Sequence, residues 1–506
     1  MGRLGELGGR VLGGARRGLD RILPDGRNTA DADSPPVAGD ANDPWPDEGD
    51  GDAAGDGVSP EPTAAYGVVA PPTERTPVVE QPDDAGSKGS GKGLRWRLMA
   101  FAVVTLALLL PGSFAIGVVG DDEGQGPLPE GWAGAQRITV STAADGRDGS
   151  LRDAIGIAGE SGTDTVVELK PTVYRLTQGC ERSDRASVLE FTDDDNAVGD
   201  LDLPSEGGGV RIEGNGATIV QECPGQRVLH STGAGRVELS QVTLTGGQAT
   251  DPLGNGSGGA LLSEGGADVA VLDSLLTSNT AEGTGGAVTI SGPPGRLELS
   301  RSVVSGNSAG SAGGGVWVLG TLEATNATIT DNQAGSNGGA VATDAFLTFS
   351  SVVDNSATTS QGGRQLGAAE LTAFASYVAG GAGASASCSV ERAVSSGYNV
   401  GDDPSCGFGS GIGDLADGPR DGVGLLGLYA RSIPARPPVR SSVLVDRVPP
   451  PACREHALVD GQGRERAGDL GCDVGAVELP VGLEVPLTAT ASRVAEPVSA
   501  RATYTG

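Results

Sequence analysis

Lysine is almost missing from this 506-residue chain: Lys88, Lys92 and Lys170 are the only three, and His230 and His456 the only histidines. Aromatic residues make up 3% of the chain, and the formal net charge is −30. A chain so short of lysine and so acidic is not built to neutralise phosphates, so no nucleic-acid partner is expected. Two histidines leave little material for imidazole catalysis or for a His-rich metal site. The 85 glycines and 31 prolines follow no Gly-X-Y period, which excludes collagen. No nucleophile elbow, phosphate loop, H-E-x-x-H or dinucleotide fingerprint stands in a fitting context, so no catalytic or cofactor-binding residue is assigned.

What is present begins with one long apolar run. Leu98–Val119 carries no charge over 22 residues, enough to cross a hydrocarbon core of about 30 Å. Lys88, Lys92, Arg95 and Arg97 precede it and Asp121, Asp122 and Glu123 follow, which places the N-terminus in the cytoplasm and the remainder outside. Two readings stand: a retained single-pass membrane anchor, or a signal segment cleaved near Ala115 that leaves a secreted protein. All six cysteines (Cys180, Cys223, Cys388, Cys406, Cys453, Cys472) lie beyond this run, as disulfides in an oxidising compartment would. Six cysteines allow 15 pairings; the nearest-neighbour set Cys180–Cys223, Cys388–Cys406 and Cys453–Cys472 is the working expectation, with a zinc site as its rival.

Composition divides the chain further. Residues 1–94 read as a disordered acidic Pro/Gly-rich cytoplasmic tail: from Asn28 to Ser87 there are 14 acidic residues and one basic, Arg75. Residues 95–120 form the transmembrane helix or signal anchor, 121–136 a linker and 481–506 a second disordered tail. Between them the sequence repeats. SNTA, GNSA, DNQA and DNSA place Asn279, Asn307, Asn332 and Asn355 at matching positions. Ten, eight, five and three residues before each Asn the side chain is apolar or small throughout, for example Val271, Leu299, Ala324 and Leu347 at minus eight. A fifth copy fits with Gly247 in the Asn place. Spacings of two are the strand period, and the three-residue step between them marks a bend. Short strands joined by tight glycine turns, repeated every 23 to 32 residues, predict the coils of a parallel β-solenoid. The asparagines are expected to form a structural ladder, each at a turn in a left-handed conformation and bonded to its neighbours above and below.

Several motifs resemble a known family. Gly149–Ile155 (GSLRDAI) looks like the Cys-Ser-Leu-Arg-Glu-Ala signature that opens many exported bacterial β-helix proteins, and the GGA[LV]…N-x-A copies are similar to repeats of polymorphic outer-membrane proteins. Cys472–Glu478 (CDVGAVE) resembles the closing motif of the choice-of-anchor β-helix domain. The resemblance implies an all-β, right-handed parallel β-helix of the pectin lyase-like kind on the cell surface. Its cap and coils would occupy 137–365, and the last coils with a disulfide-bearing C-terminal cap 366–480.

Two places could carry chemistry. Asp193, Asp194, Asp195, Asp200 and Asp202 cluster as a polysaccharide lyase's Ca²⁺ ligands would, although turn-capping aspartates give the same pattern. Trp317, flanked by Val316 and Val318, points outward by alternation and could stack on a sugar ring or cover a neighbouring loop. The expected function is therefore a membrane-anchored, surface-exposed β-helix without catalysis, in adhesion or contact with envelope carbohydrate. The alternative is a polysaccharide lyase or glycoside hydrolase on the same scaffold.

Overall fold

A computed structural model describes residues 128–480 except 181–195, 204–207, 251–255, 361, 383–384, 430–432 and 467–469, together with 482, 483 and 485. The apolar run Leu98–Val119, the acidic tail before it and Asp193, Asp194 and Asp195 lie outside the described residues. No helix among those described is long and apolar enough to cross a membrane.

The chain winds into a parallel β-solenoid of about nine turns. Its first face stacks ten parallel strands, from Gln136–Thr139 to the later half of Cys388–Ser395. The second face runs from Val173–Leu176 to Val400–Gly401, and the third from Leu201–Leu203 to the first half of Cys388–Ser395. A fourth, narrow sheet joins five two-residue strands, Gln248–Ala249 through Ser356–Ala357. The repeat thus holds three short strands and a two-residue fourth.

Register makes the repeat physical. Val237, Val269, Leu297, Leu322 and Ala345 are cross-strand neighbours, as are Leu239, Val271, Leu299, Ala324 and Leu347. Leu244, Leu276, Val304, Ile329 and Val352 form the corresponding row of the second face. All lie inside the solenoid and are almost wholly buried. Each large aliphatic there contributes roughly 1.5–3 kcal/mol of transfer free energy.

The corners depart from the expectation in one respect. The ladder asparagines are not left-handed; the residue before each one is, Ser278, Gly306, Asp331 or Asp354, with φ between 55° and 64°. That arrangement turns the chain first and leaves the Asn side chain to point inward. At Gly247 a Cβ would come within 1.8 Å of the Gly259 carbonyl oxygen, so the fifth copy has no room for an asparagine. The bend between the first and second faces is also left-handed, at Gln241, Asp273, Arg301, Asn326, Phe349 and Ala375.

Near the first coils, helix α1 (Leu151–Ser161) buries Leu151, Ala154, Ile155 and Ala158. Ser150 caps it by accepting from the Asp153 N–H at 3.1 Å, while the Asp153 carboxylate accepts from the Gly149 N–H at 2.6 Å. At the far end the chain leaves the last coil through a short 3-10 turn, Pro404–Cys406. It then runs back along the outer side of the second face, with one further helix, α2 (Pro450–His456). The Ala476 N–H donates to Ser351 Oγ at 3.0 Å, the Gly475 N–H to the Ala375 carbonyl at 2.9 Å, and Tyr377 Oη to the Pro419 carbonyl at 2.5 Å. This flank covers outward-facing side chains of the solenoid: Val353 packs in one buried cluster with Val423, Leu444 and Val474, while Thr330 bonds Arg436 and Ser351 the Ala476 N–H. The disulfides are Cys180–Cys223, Cys388–Cys406 and Cys453–Cys472, the nearest-neighbour set.

Candidate functional site

The geometry of the ladder residues settles what they do. Asn279 Nδ2 donates to Asn307 Oδ1 at 3.0 Å, Asn307 to Asn332 at 2.9 Å, and Asn332 to Asn355 at 2.9 Å. Each Oδ1 also accepts the backbone N–H of the preceding Asn, and each Nδ2 also donates to a backbone carbonyl. Gln365 closes the row, its Oε1 accepting from Asn355 Nδ2 at 2.8 Å, and Gly247 opens it by donating its N–H to Asn279. With every amide committed to its neighbours and buried, the row is scaffold. A second ladder lies at the small minus-five positions. The hydroxyls of Ser274, Ser302, Ser350 and Ser376 each accept a backbone N–H from the adjacent coil. Sequence reasoning saw only their size; their hydroxyls were the signal.

Trp317 lies between Thr289 and Val341 on the third face and is half-buried, its indole N–H shielded and without an acceptor. It is not part of the two places where polar groups gather.

The first of these lies on the outer side of the third face near its start. Strands Leu201–Leu203 and Leu229–Ser231 pair with Asp202 opposite His230, while the leucines turn inward. Asp200, Asp202 and His230 offer ligand atoms that all lie within 4.8 Å of one another. The Asn196 N–H donates to Asp202 Oδ2 at 3.1 Å, and Asn196 Oδ1 accepts the Asp202 N–H at 3.2 Å. Burial pushes the Asp200 carboxyl up to about 6, against the pull of Arg227, whose guanidinium is 3.6 Å away. Burial pulls His230 down, but the carboxylate of Asp202, helped by Asp200 and Glu264, more than offsets it, and its pKa is raised. Asp200 and Asp202 belonged to the acidic cluster read from sequence. His230 did not, because its place beside Asp202 follows from strand register across an irregular coil.

The second place is a groove of about 500 Å³ between the solenoid and its flank. One wall is the first corner of three successive coils: Asn215, Gln241 and Asp273, with Leu275 behind. The other is Ile433 and the turn Gly461–Gly463. Asp460, fully buried, holds that turn by accepting the N–H groups of Gln462, Arg464 and Glu478. Gln462 Nε2 donates to the Ile433 carbonyl at 3.0 Å, which leaves its Oε1 shielded and without a donor. Asp273 is gripped by Arg301 through two bonds of 2.7 and 2.6 Å. Nothing in the sequence pointed to this groove, because its two walls are more than 150 residues apart in the chain.

Comparisons with protein-family models, with curated proteins and with solved structures find no match for this chain.

Proposed function

We propose that the chain is a membrane-anchored, surface-exposed β-solenoid that works without catalysis, in adhesion or in contact with cell-envelope carbohydrate. The observation that carries this reading is the groove at the flank. It sets the side-chain amides of Asn215 and Gln241 and the carboxylate of Asp273 beside apolar Leu275 and Ile433. Such mixed walls suit a pyranose, which offers hydroxyls at its edge and C–H groups on its face. Asp273, the carboxylate among the lining residues, is committed to Arg301, whereas glycoside hydrolysis generally requires a pair of carboxylates flanking the bond. The apolar run Leu98–Val119 between basic and acidic flanks supports the membrane anchor, with the solenoid outside the cell.

Glycan-panel binding by the full chain in lipid nanodiscs tests the reading. Binding to an envelope polysaccharide is expected, weakened about tenfold in Gln241→Ala, the order of one lost hydrogen bond from an exposed amide of the groove. A silent panel, or affinity indifferent to Gln241→Ala, would remove the groove from the account. Release of unsaturated uronate products would move the chain to the lyase alternative.

A further inference from the structure

We infer that Asp200, Asp202 and His230 form a binding site for one divalent transition-metal ion of the Zn²⁺ class, clipping two successive coils together. Two of its carboxylate oxygens, Asp200 Oδ2 and Asp202 Oδ1, are shielded from water and receive no hydrogen bond. Their side chains are only 9% and 8% exposed. A buried carboxylate oxygen without a donor is rare in a folded protein and calls for a cation. Arg227 supplies part of the charge at Asp200 from 3.6 Å, beyond hydrogen-bond distance.

The imidazole supplies the rest of the argument. His230 Nε2 lies 3.1 Å from Glu264 Oε2 and Nδ1 lies 3.4 Å from Asp202 Oδ1; with a metal bound, the ring proton would stay on Nε2 toward Glu264 and Nδ1 would be the ligand atom. In a tetrahedral zinc site with bonds of about 2.0–2.2 Å, neighbouring ligand atoms stand roughly 3.3–3.6 Å apart; the Asp202–His230 pair is 3.4 Å apart, and all three ligand atoms lie within 4.8 Å of one another. Glu264 then orients the imidazole from outside, the arrangement that fixes most metal-bound histidines. A nitrogen donor and three protein ligands fit Zn²⁺ better than Ca²⁺, which takes six to eight oxygens. Both the ion and the smaller ligand set differ from the Ca²⁺ cluster expected from sequence, of which Asp193, Asp194 and Asp195 lie outside the described residues. Because Asp202 and His230 sit on paired strands, and Asp200 is tied through its backbone carbonyl to Arg152 of helix α1, the ion would fasten the helix to two coils.

The test is metal content and spectroscopy on the full chain. After chelation and dialysis against micromolar Zn²⁺, about one ion per chain is expected by mass spectrometry. Co²⁺ in its place should give visible absorption that Zn²⁺ abolishes and millimolar Ca²⁺ does not. Asp202→Asn and His230→Gln should lose the ion, and Glu264→Gln should weaken binding about 10-fold to 100-fold. His456→Gln, the other histidine, should change nothing. Glu264 is well exposed, so its variant keeps the test intact if a buried one misfolds by circular dichroism. No retained Zn²⁺, retention that survives Asp202→Asn and Glu264→Gln together, or displacement by Ca²⁺ would each overturn the site, leaving His230 and Asp202 an ion pair only.

Discussion

The repeating coils and the C-terminal flank meet along one face, yet they are held by different physics. Inside the coils the polar contacts are neutral: amide to amide down the asparagine row and hydroxyl to N–H down the serine row, each between residues one coil apart. The flank is pinned by buried charge. Arg466 is fully buried, pairs with Glu478 at 2.7 Å, donates twice to Asn326 Oδ1 and lies over the Phe349 ring at 4.2 Å. Arg436 reaches Thr330 Oγ1 at 2.6 Å and the Asp354 carboxylate at 2.6 Å. A ladder is satisfied by repetition, so each member is supported from both sides. A buried ion cluster is satisfied only as a whole, and loss of one member leaves charge stranded.

The largest expected effect tests that contrast directly. Arg466→Met should destabilise the chain by about 4 kcal/mol in chemical denaturation, since Glu478 and the Asn326 amide lose their partner in a dry setting. Hydrogen exchange should then show the flank opening while the coils stay protected. Equal loss of protection in both would mean the flank and coils are one cooperative unit, and the distinction would fail.

Asn307→Ala comes next, at about 3 kcal/mol. It removes the acceptor for the Asn279 N–H and Nδ2 and the donor to the Leu276 carbonyl, all buried. Here the sharper measurement is a double-mutant cycle with Asn332→Ala. Neighbours in one network should couple by roughly 0.5–3 kcal/mol, whereas Asn307→Ala with Arg466→Met should add. Additivity within the ladder would reduce it to a set of independent bonds.

The same contrast explains how much could be read from residues alone. The solenoid was legible because each coil answers to one constraint, an inward row at fixed spacing, so five copies report the same fact. The disulfides were legible because each joins the cysteine nearest in sequence, 43, 18 and 19 residues apart. The flank was not: Arg466 meets Asn326 across 140 residues of chain, once, and no period marks a single contact. The metal site falls between. Asp200 and Asp202 stand out as local charge, but His230 joins them only through the pairing of Leu201–Leu203 with Leu229–Ser231. The serine row was seen as a size restriction because narrowness and hydroxyl bonding select the same small residue; Ala327, which alone among the four asparagine copies lacks a hydroxyl, fits the first reason only.

That alanine suggests the next step down. Ser302→Ala should cost about 1 kcal/mol, because it orphans the Ser274 N–H, which donates to Ser302 Oγ at 3.1 Å, without opening a cavity. A cost near zero would show that the coils tolerate alanine at this row as they do at Ala327, and that size alone is selected.

The smallest effect concerns pH and separates the coils from what adjoins them. The ladders contain no titratable group, but the regions before and after them lean on carboxylates. Asp145 is raised by burial but held below its ordinary 3.8 by Arg152, 2.8 Å away, and by the Thr177 and Gln178 N–H groups. Hydrogen bonds likewise overcome burial to lower Asp403 and Asp414 beside the last coil. A carboxyl whose pKa is lower folded than unfolded binds fewer protons in the native state. Its contribution is therefore present above about pH 3.8 and is lost as pH falls through the native value. Melting temperature should be flat from pH 6 to 5 as far as these three groups govern it, then fall below pH 4, with Asp145→Asn shallowing the fall. Exchange protection should decay first in helix α1 and around 403–414, last along Asn279–Asn355. If the asparagine row loosens as early as those segments, acid is acting on the fold as a whole, and the neutral ladder gives the coils no independence from their charged neighbours.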